Sequence, residues 1–206
     1  MRRNLALAVF ALALLAGFVS RAGNEAYQPV TKPEQIELSR DRVDVYPDDV
    51  RNYPATYMGV ALVWAGIIRS TDARDAAQGD KIDAETVFEH HYFNGVQNNR
   101  GHGITLFVSP RGEGLFRVKW RLDKVGRDAT AASAEAYAAP GKLALVYGVP
   151  QKVDPDGTVL LKYRYLRVLN TDQFSTNKFD YGRFGQPFRL IQDSPNSPPA
   201  TAPTGK

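Results

Sequence analysis

The chain has 206 residues, of which 43% are hydrophobic and 23% are charged, and it contains no cysteine. The lack of cysteine excludes disulfides and thiolate metal sites, so a folded domain must rest on its hydrophobic core, for which this length is sufficient. The formal net charge of +4 suggests a nucleic-acid partner, but Arg2, Arg3 and Arg21 lie in a segment that we expect to be removed, and without it 23 basic side chains face 22 acidic ones. We therefore expect no nucleic-acid partner.

Residues 1–22 have the pattern of a secretory signal peptide. Two arginines precede an almost uncharged run, residues 5–19, which is too short to cross a bilayer as a helix and suits the apolar core of a leader. Small residues at positions 20 and 22 predict cleavage between Ala22 and Gly23. The alternative is an uncleaved leader that associates the protein with a membrane.

The same leader contains the residues LLAG followed by Phe18, at the place where a bacterial lipoprotein carries its acylated cysteine. Phenylalanine has no thiol, so we expect no lipidation at this position. The prediction is an exported protein of the periplasm or of the inner face of the outer membrane.

The residues after the leader and those at the C-terminus are predicted to lie outside the main domain. Residues 23–53 are polar and interrupted by prolines, which predicts an irregular, extended N-terminal arm with at most one short strand. Residues 191–206 are rich in proline, serine and threonine, which predicts a disordered tail.

Residues 54–190 are predicted to form one β domain with an aromatic C-terminal extension. β-branched and aromatic residues come in short runs separated by Gly, Pro, Asn and Asp, as in strands. The first run is residues 57–70, whose glycines suit a long, bent strand, and the second is residues 85–95. Residues 103–122 read as two strand pieces with a turn at residues 110–114.

The order of the remaining elements predicts the fold. Residues 128–139 are rich in alanine, with Asp128 or Thr130 placed to cap them, and they form the one helix that the pattern supports after the leader. Two strands follow, at residues 142–149 and 158–168. Three strands, a helix and two strands predict a mainly β, OB-like five-stranded Greek-key barrel with one short helix, and an antiparallel sandwich is the alternative.

The barrel segment resembles the starvation-inducible outer-membrane lipoprotein (Slp) family. The likeness extends over roughly residues 57–168 and rests on these residues: Val63-Trp64-Ala65-Gly66-Ile67-Ile68, Thr86-Val87-Phe88-Glu89 with Tyr92, Gly141-Lys142, Val146-Tyr147-Gly148 and Tyr163-Arg164-Tyr165. The chain departs from the family at Phe18, and at Phe93, where the family usually has proline. The resemblance implies an envelope protein with a β-barrel-like core, and it implies no catalytic residues.

Three histidines raise the question of a metal site. His90 and His91 are adjacent, His102 follows in the chain, and Glu85 and Glu89 are close by. Adjacent residues of a strand point to opposite faces, so at most His91, Glu89 and His102 can converge on one ion. We predict hydrogen-bonded or surface histidines and no metal.

Motifs of known hydrolytic sites are absent from the sequence, which has no GxSxG, SxxK or HExxH pattern. We predict a protein that is not an enzyme, with no catalytic residues and no cofactor. The basic side chains Lys162, Arg164 and Arg167 alternate with apolar and aromatic ones, which predicts a strand with a solvated basic edge.

Residues 174–190 are the strongest candidate for a binding segment, because five aromatic rings alternate there with basic side chains. Rings and guanidinium groups together stack on sugars. The candidate ligand-binding residues are Lys178, Tyr181, Arg183 and Phe184. The alternative is that these rings cover an open end of the barrel.

The sequence thus predicts a non-enzymatic cell-envelope protein with a binding or scaffolding role, whose partner is an envelope polymer or an envelope protein. The alternative is a periplasmic ligand-binding module for an oligosaccharide or another envelope polymer.

Overall fold

Strands are the main elements of a computed structural model, which describes residues 27, 29–77, 79–99, 103–124, 129–177 and 179 and shows eight strands among them. The strands are β1 (Leu62–Asp75), β2 (Lys81–His91), β3 (Phe93–Asn99), β4 (Gly103–Val108), β5 (Leu115–Asp123), β6 (Leu143–Val153), β7 (Val159–Leu169) and β8 (Phe174–Ser175). The helices are α1 (Lys32–Leu38), α2 (Pro47–Asn52), α3 (Pro54–Tyr57) and α4 (Ala131–Tyr137), with a 3-10 turn at Thr171–Gln173.

Five of these strands form a closed barrel in the order β1-β2-β5-β7-β6. All neighbours are antiparallel except β5 and β7, which run parallel, and β1 closes the barrel by pairing with β6. The helix α4 lies between the third and fourth barrel strands in the chain, with Thr130 as its N-cap. The prediction of a mainly β, OB-like five-stranded barrel is confirmed.

The barrel interior is apolar and is built from alternate residues of each strand. Every second residue of β2 from Ile82 to His90 is buried, as the period of two requires. Trp64, Phe88 and Phe116 are fully or almost fully buried, and the last two rings stack with centroids 4.9 Å apart. Gly66 makes room for this pair, because a Cβ at position 66 would lie 2.7 Å from the ring of Phe116.

A separate three-stranded sheet, in the order β3-β4-β8, packs against the outside of the barrel. Its first two strands lie between β2 and β5 in the chain, and β8 follows β7. Residues 103–122 do contain two strand pieces, as predicted, but only the second belongs to the barrel, since β4 pairs with β3 and β8. A second hydrophobic core lies between this sheet, α1 and the outer face of β1, β6 and β7. Its buried residues are Tyr27, Leu38, Val63, Ala65, Leu106, Val108, Leu143, Leu145, Tyr147 and Leu169.

The N-terminal arm contains two short helices, α1 and α2, and α3 begins directly after it, so this part of the chain is more helical than its prolines predict and α4 is not the one helix after the leader. The prolines lie in the first turns of α1, α2 and α3, where a missing N–H costs no helical hydrogen bond. Thr31 caps α1 by accepting a hydrogen bond from the backbone N–H of Glu34. The arm is fixed to the barrel where the indole N–H of Trp64 donates to the carbonyl oxygen of Val45 at 2.6 Å.

Within the described ranges, no helix is both long enough and apolar enough to span a membrane.

Candidate ligand-binding groove

The two halves of the barrel's outer surface differ in what covers them. The outer face of β1, β6 and β7 carries the second core and lies beneath α1 and the three-stranded sheet. The outer face of β2 and β5, with the C-terminal end of β1 and the N-terminal half of β7, is polar, and among the described residues only barrel strands line the groove there. We call it the open face, and it is the part of the barrel where we look for a ligand site.

A groove of about 640 Å³ lies on the open face. Its charged side chains come from outward-pointing positions of neighbouring strands, and core residues line its floor: Ala84, Trp120, Leu161 and Tyr163. The strand register aligns Glu85 with Lys119 and Lys119 with Lys162. The parallel pairing of β5 with β7 ends at Lys119 and Lys162, and the groove is lined by residues on both sides of that end. The lining residues include Asp72, Arg74, Asp83, Glu85, Lys119, Arg121, Gln151 and Lys162.

Two acidic side chains of the groove, Asp83 and Glu85, form ion pairs with basic residues of β5. Arg121 donates from its Nε to Asp83 at 2.5 Å, and this hydrogen bond lowers the pKa of Asp83 below its ordinary value. Glu85 accepts from Arg117 at 3.0 Å, and its other oxygen lies 3.4 Å from Lys119 Nζ. These ion pairs hold the basic side chains of the groove in place.

Two exposed cations of the groove have no such partner. Among the residues that the structure describes, no carboxylate lies within ion-pair distance of Arg74 or Lys162. They stand on either side of the Asp83–Arg121 pair, one on β1 and one on β7. Arg74 lies across from Asp83 in the strand register and interacts with its charge, but no ion pair among the described residues engages either cation. A ligand that supplies hydroxyl or anionic oxygens there would meet two available donors.

The aromatic residues beneath the groove are part of the core. Trp120 is buried, and its indole N–H donates to Thr86 Oγ1 at 2.9 Å. Tyr163 is partly buried against the barrel core, and burial raises its pKa. The groove therefore offers charged and hydrogen-bonding groups to a ligand, with little aromatic surface for stacking.

A second concavity, of about 620 Å³, lies at the end of the barrel between α2 and two loops. Arg51 occupies it and uses its own donors internally, to Asp48 at 2.6 Å and to the carbonyl oxygens of Glu113 and Gly157 at 2.9 and 3.3 Å. This arginine joins three segments of the chain. Its role is to hold the barrel end together, and it leaves few donors for a ligand.

The histidines of β2 are structural. His91 is buried, with Nδ1 2.7 Å from the carbonyl oxygen of Ser109 and Nε2 3.2 Å from Glu89. His90 points the opposite way, among the rings of Trp64 and Phe116, and burial lowers its pKa to about 3, so it is neutral. In the described part of the chain no three candidate ligands surround a common point, and His102 lies outside that part.

The predicted ligand-binding residues Lys178, Tyr181, Arg183 and Phe184 lie outside the described residues, as do Phe18 and the rest of the leader. Phe174, the first ring of the same segment, is partly buried and packs against the second core. The ring of Phe174 therefore lies against the outside of the barrel.

The basic side chains of β7 were predicted to lie in solvent, and two of the three are in ion pairs or hydrogen bonds beneath α1. Lys162 is exposed, but Arg164 pairs with Glu37 and Asp41, and Arg167 hydrogen-bonds Tyr27 and reaches Glu34. The sequence carried a signal of this, because Glu34, Glu37 and Asp41 have the spacing of one helical face. An acidic face and a strand with two arginines are complementary.

Glu34 is at the centre of a buried polar cluster beneath α1. It has no exposed surface, and it accepts hydrogen bonds from the hydroxyls of Tyr27 and Tyr147 and from the backbone N–H of Val30 at 2.9 Å. Burial and the nearby Glu34 carboxylate raise the pKa of both tyrosines, so both hydroxyls remain protonated donors. The cluster borders neither concavity, so its groups act as supports of the arm.

Comparison of the sequence with models of known protein families found no match, and comparison with curated proteins found no significant match. The resemblance to the Slp family thus rests on the residues quoted above and stays a prediction.

Proposed function

We propose that this chain is a non-enzymatic, Slp-like protein of the cell envelope that binds an oligosaccharide or another envelope polymer in the groove on the open face of its barrel. The site of action is the periplasm or the inner face of the outer membrane. The pattern of the leader and the resemblance of the barrel strands support this location.

The observation that carries the proposal is the groove itself. The chain covers one outer face of the barrel with its own arm and second sheet and leaves the other open, with preset ion pairs and two unpaired cations. The equivalent face of OB-type barrels, on the second and third strands, is the one that holds oligosaccharides and oligonucleotides. Because the mature chain is nearly neutral and the groove has little exposed aromatic surface, a glycan-type polymer fits it better than nucleic acid does.

The same geometry argues against catalysis in the groove. A general acid or base needs a pKa shifted toward neutrality, which burial normally provides. Asp83 is instead ionised more readily than a free carboxyl group, because it lies in an exposed ion pair with Arg121. The groove is thus arranged to hold a ligand by hydrogen bonds.

Replacing Lys162 with glutamate tests the groove. We expect Lys162→Glu to weaken binding at least roughly tenfold, since the change removes a free donor and places a negative charge beside the ligand. The measurement is co-sedimentation with purified peptidoglycan sacculi, together with titration of acidic and neutral oligosaccharides followed by calorimetry. Unfolding midpoints should match those of the wild type, because Lys162 is exposed.

Lys32→Glu is the matched control, because Lys32 is also an exposed lysine but lies on α1, away from the groove. We expect it to bind like the wild type. Equal weakening by both changes would show that binding depends on net charge and not on the groove. If neither the wild type nor the control binds, the polymer-binding proposal is overturned in favour of scaffolding.

The location is tested by cell fractionation and by the mass of the recovered protein. We expect a periplasmic product that begins at Gly23, since cleavage is predicted after Ala22. Replacing Phe18 with cysteine should convert it to a lipoprotein recovered with membranes. A product found in the cytosol alone would contradict the proposed export.

A further inference from the structure

The arm helix α1 presents more negative charge to the barrel than the barrel neutralises. Its face toward β7 carries Glu34 and Glu37, and Asp41 lies in the turn that follows the helix. The three carboxylates face Arg164 and Arg167 of β7. The side chains of Glu34 and Asp41 have no exposed surface, and the other three are at most about a fifth exposed. Three carboxylates and two guanidinium groups leave one negative charge unmatched in a place where water is scarce.

The geometry places that excess at Asp41. Arg164 contacts both Glu37 and Asp41, and its Nη1 lies 2.7 Å from Asp41 Oδ1. One guanidinium group therefore forms ion pairs with two carboxylates. The second oxygen, Asp41 Oδ2, is buried and has no hydrogen-bond partner in the described part of the chain. The other nearby charge is that of Arg40, which is exposed. If Asp41 is ionised, only one of its two carboxylate oxygens therefore has a hydrogen-bond partner among the described residues.

We propose that α1 is a proton-controlled cover of the barrel: it stays docked while Asp41 carries a proton and loosens when Asp41 is ionised. Protonation removes the unmatched charge and lets Arg164 pair with Glu37 alone. Loss of the proton restores two carboxylates that compete for one arginine. Movement of α1 into water would hydrate both carboxylates and remove this unfavourable interaction.

The pH range follows from the direction of the shift. Burial, opposed by Arg164 and reinforced by Glu37, raises the pKa of Asp41 to about 7 from an ordinary value of 3.8. Because the docked state binds the proton more tightly than the undocked state, docking is strongest below the ordinary value and weakens as pH rises toward 7. Within that window the docking equilibrium changes by up to about tenfold for each pH unit.

Undocking would uncover apolar surface. Tyr147 hydrogen-bonds Glu34, the hydroxyls of Tyr165 and Thr31 lie 3.1 Å apart, and both tyrosines belong to or pack against the second core. The cover thus links an acid–base equilibrium to the exposure of a hydrophobic patch on the face opposite the proposed groove. An exposed patch of this kind promotes association with other apolar surfaces.

Hydrogen exchange of the full-length protein between pH 5.5 and pH 8, corrected for intrinsic rates, tests the proposal. We expect protection of residues 32–41 to fall steadily up to about pH 7 and then level off, with the barrel strands unchanged. Binding of a fluorescent apolar dye should rise over the same range. Wild-type protection that is independent of pH, or that falls equally in barrel and arm, overturns the proposal.

Two variants and a control identify the titrating group. Asp41→Asn keeps the shape and cannot ionise, so α1 should stay protected at pH 8 and lose its pH dependence. Glu37→Gln removes a charge that raises the pKa of Asp41 and leaves Arg164 to Asp41 alone, so the fall in protection should be smaller than in the wild type and should level off at lower pH. Asp44→Asn is the control, because Asp44 is an exposed carboxylate paired with Arg42. It should behave like the wild type, and an Asp41→Asn protein that retains the wild-type pH dependence refutes the assignment.

Discussion

Gly66→Ala should destabilise the barrel by about 2–3 kcal/mol, although it adds a single methyl group. The new Cβ would lie 2.7 Å from Phe116 Cζ and 2.8 Å from Phe88 Cβ, both in fully buried residues. Such distances force strand β1 away from β2 or push two stacked rings out of their rotamers. Urea unfolding followed by tryptophan fluorescence measures the loss.

A double-mutant cycle separates this clash from other effects. Phe116→Leu removes the ring atoms nearest to the new methyl group, so Gly66→Ala should cost less in the Phe116→Leu background than in the wild type. Part of the cost should remain, because Phe88 Cβ is also too close. Strict additivity of the two changes, or a loss below about 0.5 kcal/mol for Gly66→Ala alone, would show that the strand relaxes freely.

Glu34→Ala should weaken attachment of the arm by about 3–5 kcal/mol, limited by the total free energy of docking. The change leaves Arg167 without its carboxylate in a half-buried place and removes the acceptor of the Tyr27 and Tyr147 hydroxyls. Limited proteolysis and hydrogen exchange of α1 report the loss directly. The barrel itself should keep most of its stability, because its core does not include Glu34.

Glu37→Ala is the natural comparison, since Glu37 is on the same helix and also contacts an arginine. Its removal should cost little or nothing, because Arg164 keeps Asp41 as a partner and no longer has to serve two carboxylates. If both alanine variants loosen α1 equally, Glu34 does not contribute more than Glu37 to the docking of α1, and the prediction is wrong.

The barrel was predictable from sequence because its signals are local and repeated. In β2, alternation of the side chains placed Thr86, Phe88 and His90 on one face, and that face is buried. The alanine-rich helix with its Thr130 cap falls between the third and fourth barrel strands. Strand content and the position of one helix are enough to suggest this wiring, whereas the pairing of residues 103–108 with β3 instead of the barrel depends on contacts distant in sequence.

The arm and the groove could not be read in the same way. Prolines have opposite effects in the first turn of a helix and in its interior, so Pro33 and Pro47 predict interruptions although each lies in the first turn of a helix. Charged residues at outward positions of strands have the same spacing whether water or a helix covers them. Lys162 and Arg164 are close neighbours in sequence, and yet one lines an open groove and the other forms an ion pair beneath α1.

The closure of the barrel has a consequence for how the chain acquires its structure. Residues 62–67 of β1 find one of their two partners only in residues 143–148 of β6, so the ring of strands cannot be completed during the first two thirds of synthesis. Such distant pairing makes folding slow, on the order of milliseconds to seconds. The ring also needs β7, which lies between β5 and β6, so it cannot close until residue 169 has been made. In the export that we propose, the chain would therefore cross the membrane unfolded and assemble after its fifth barrel strand had passed.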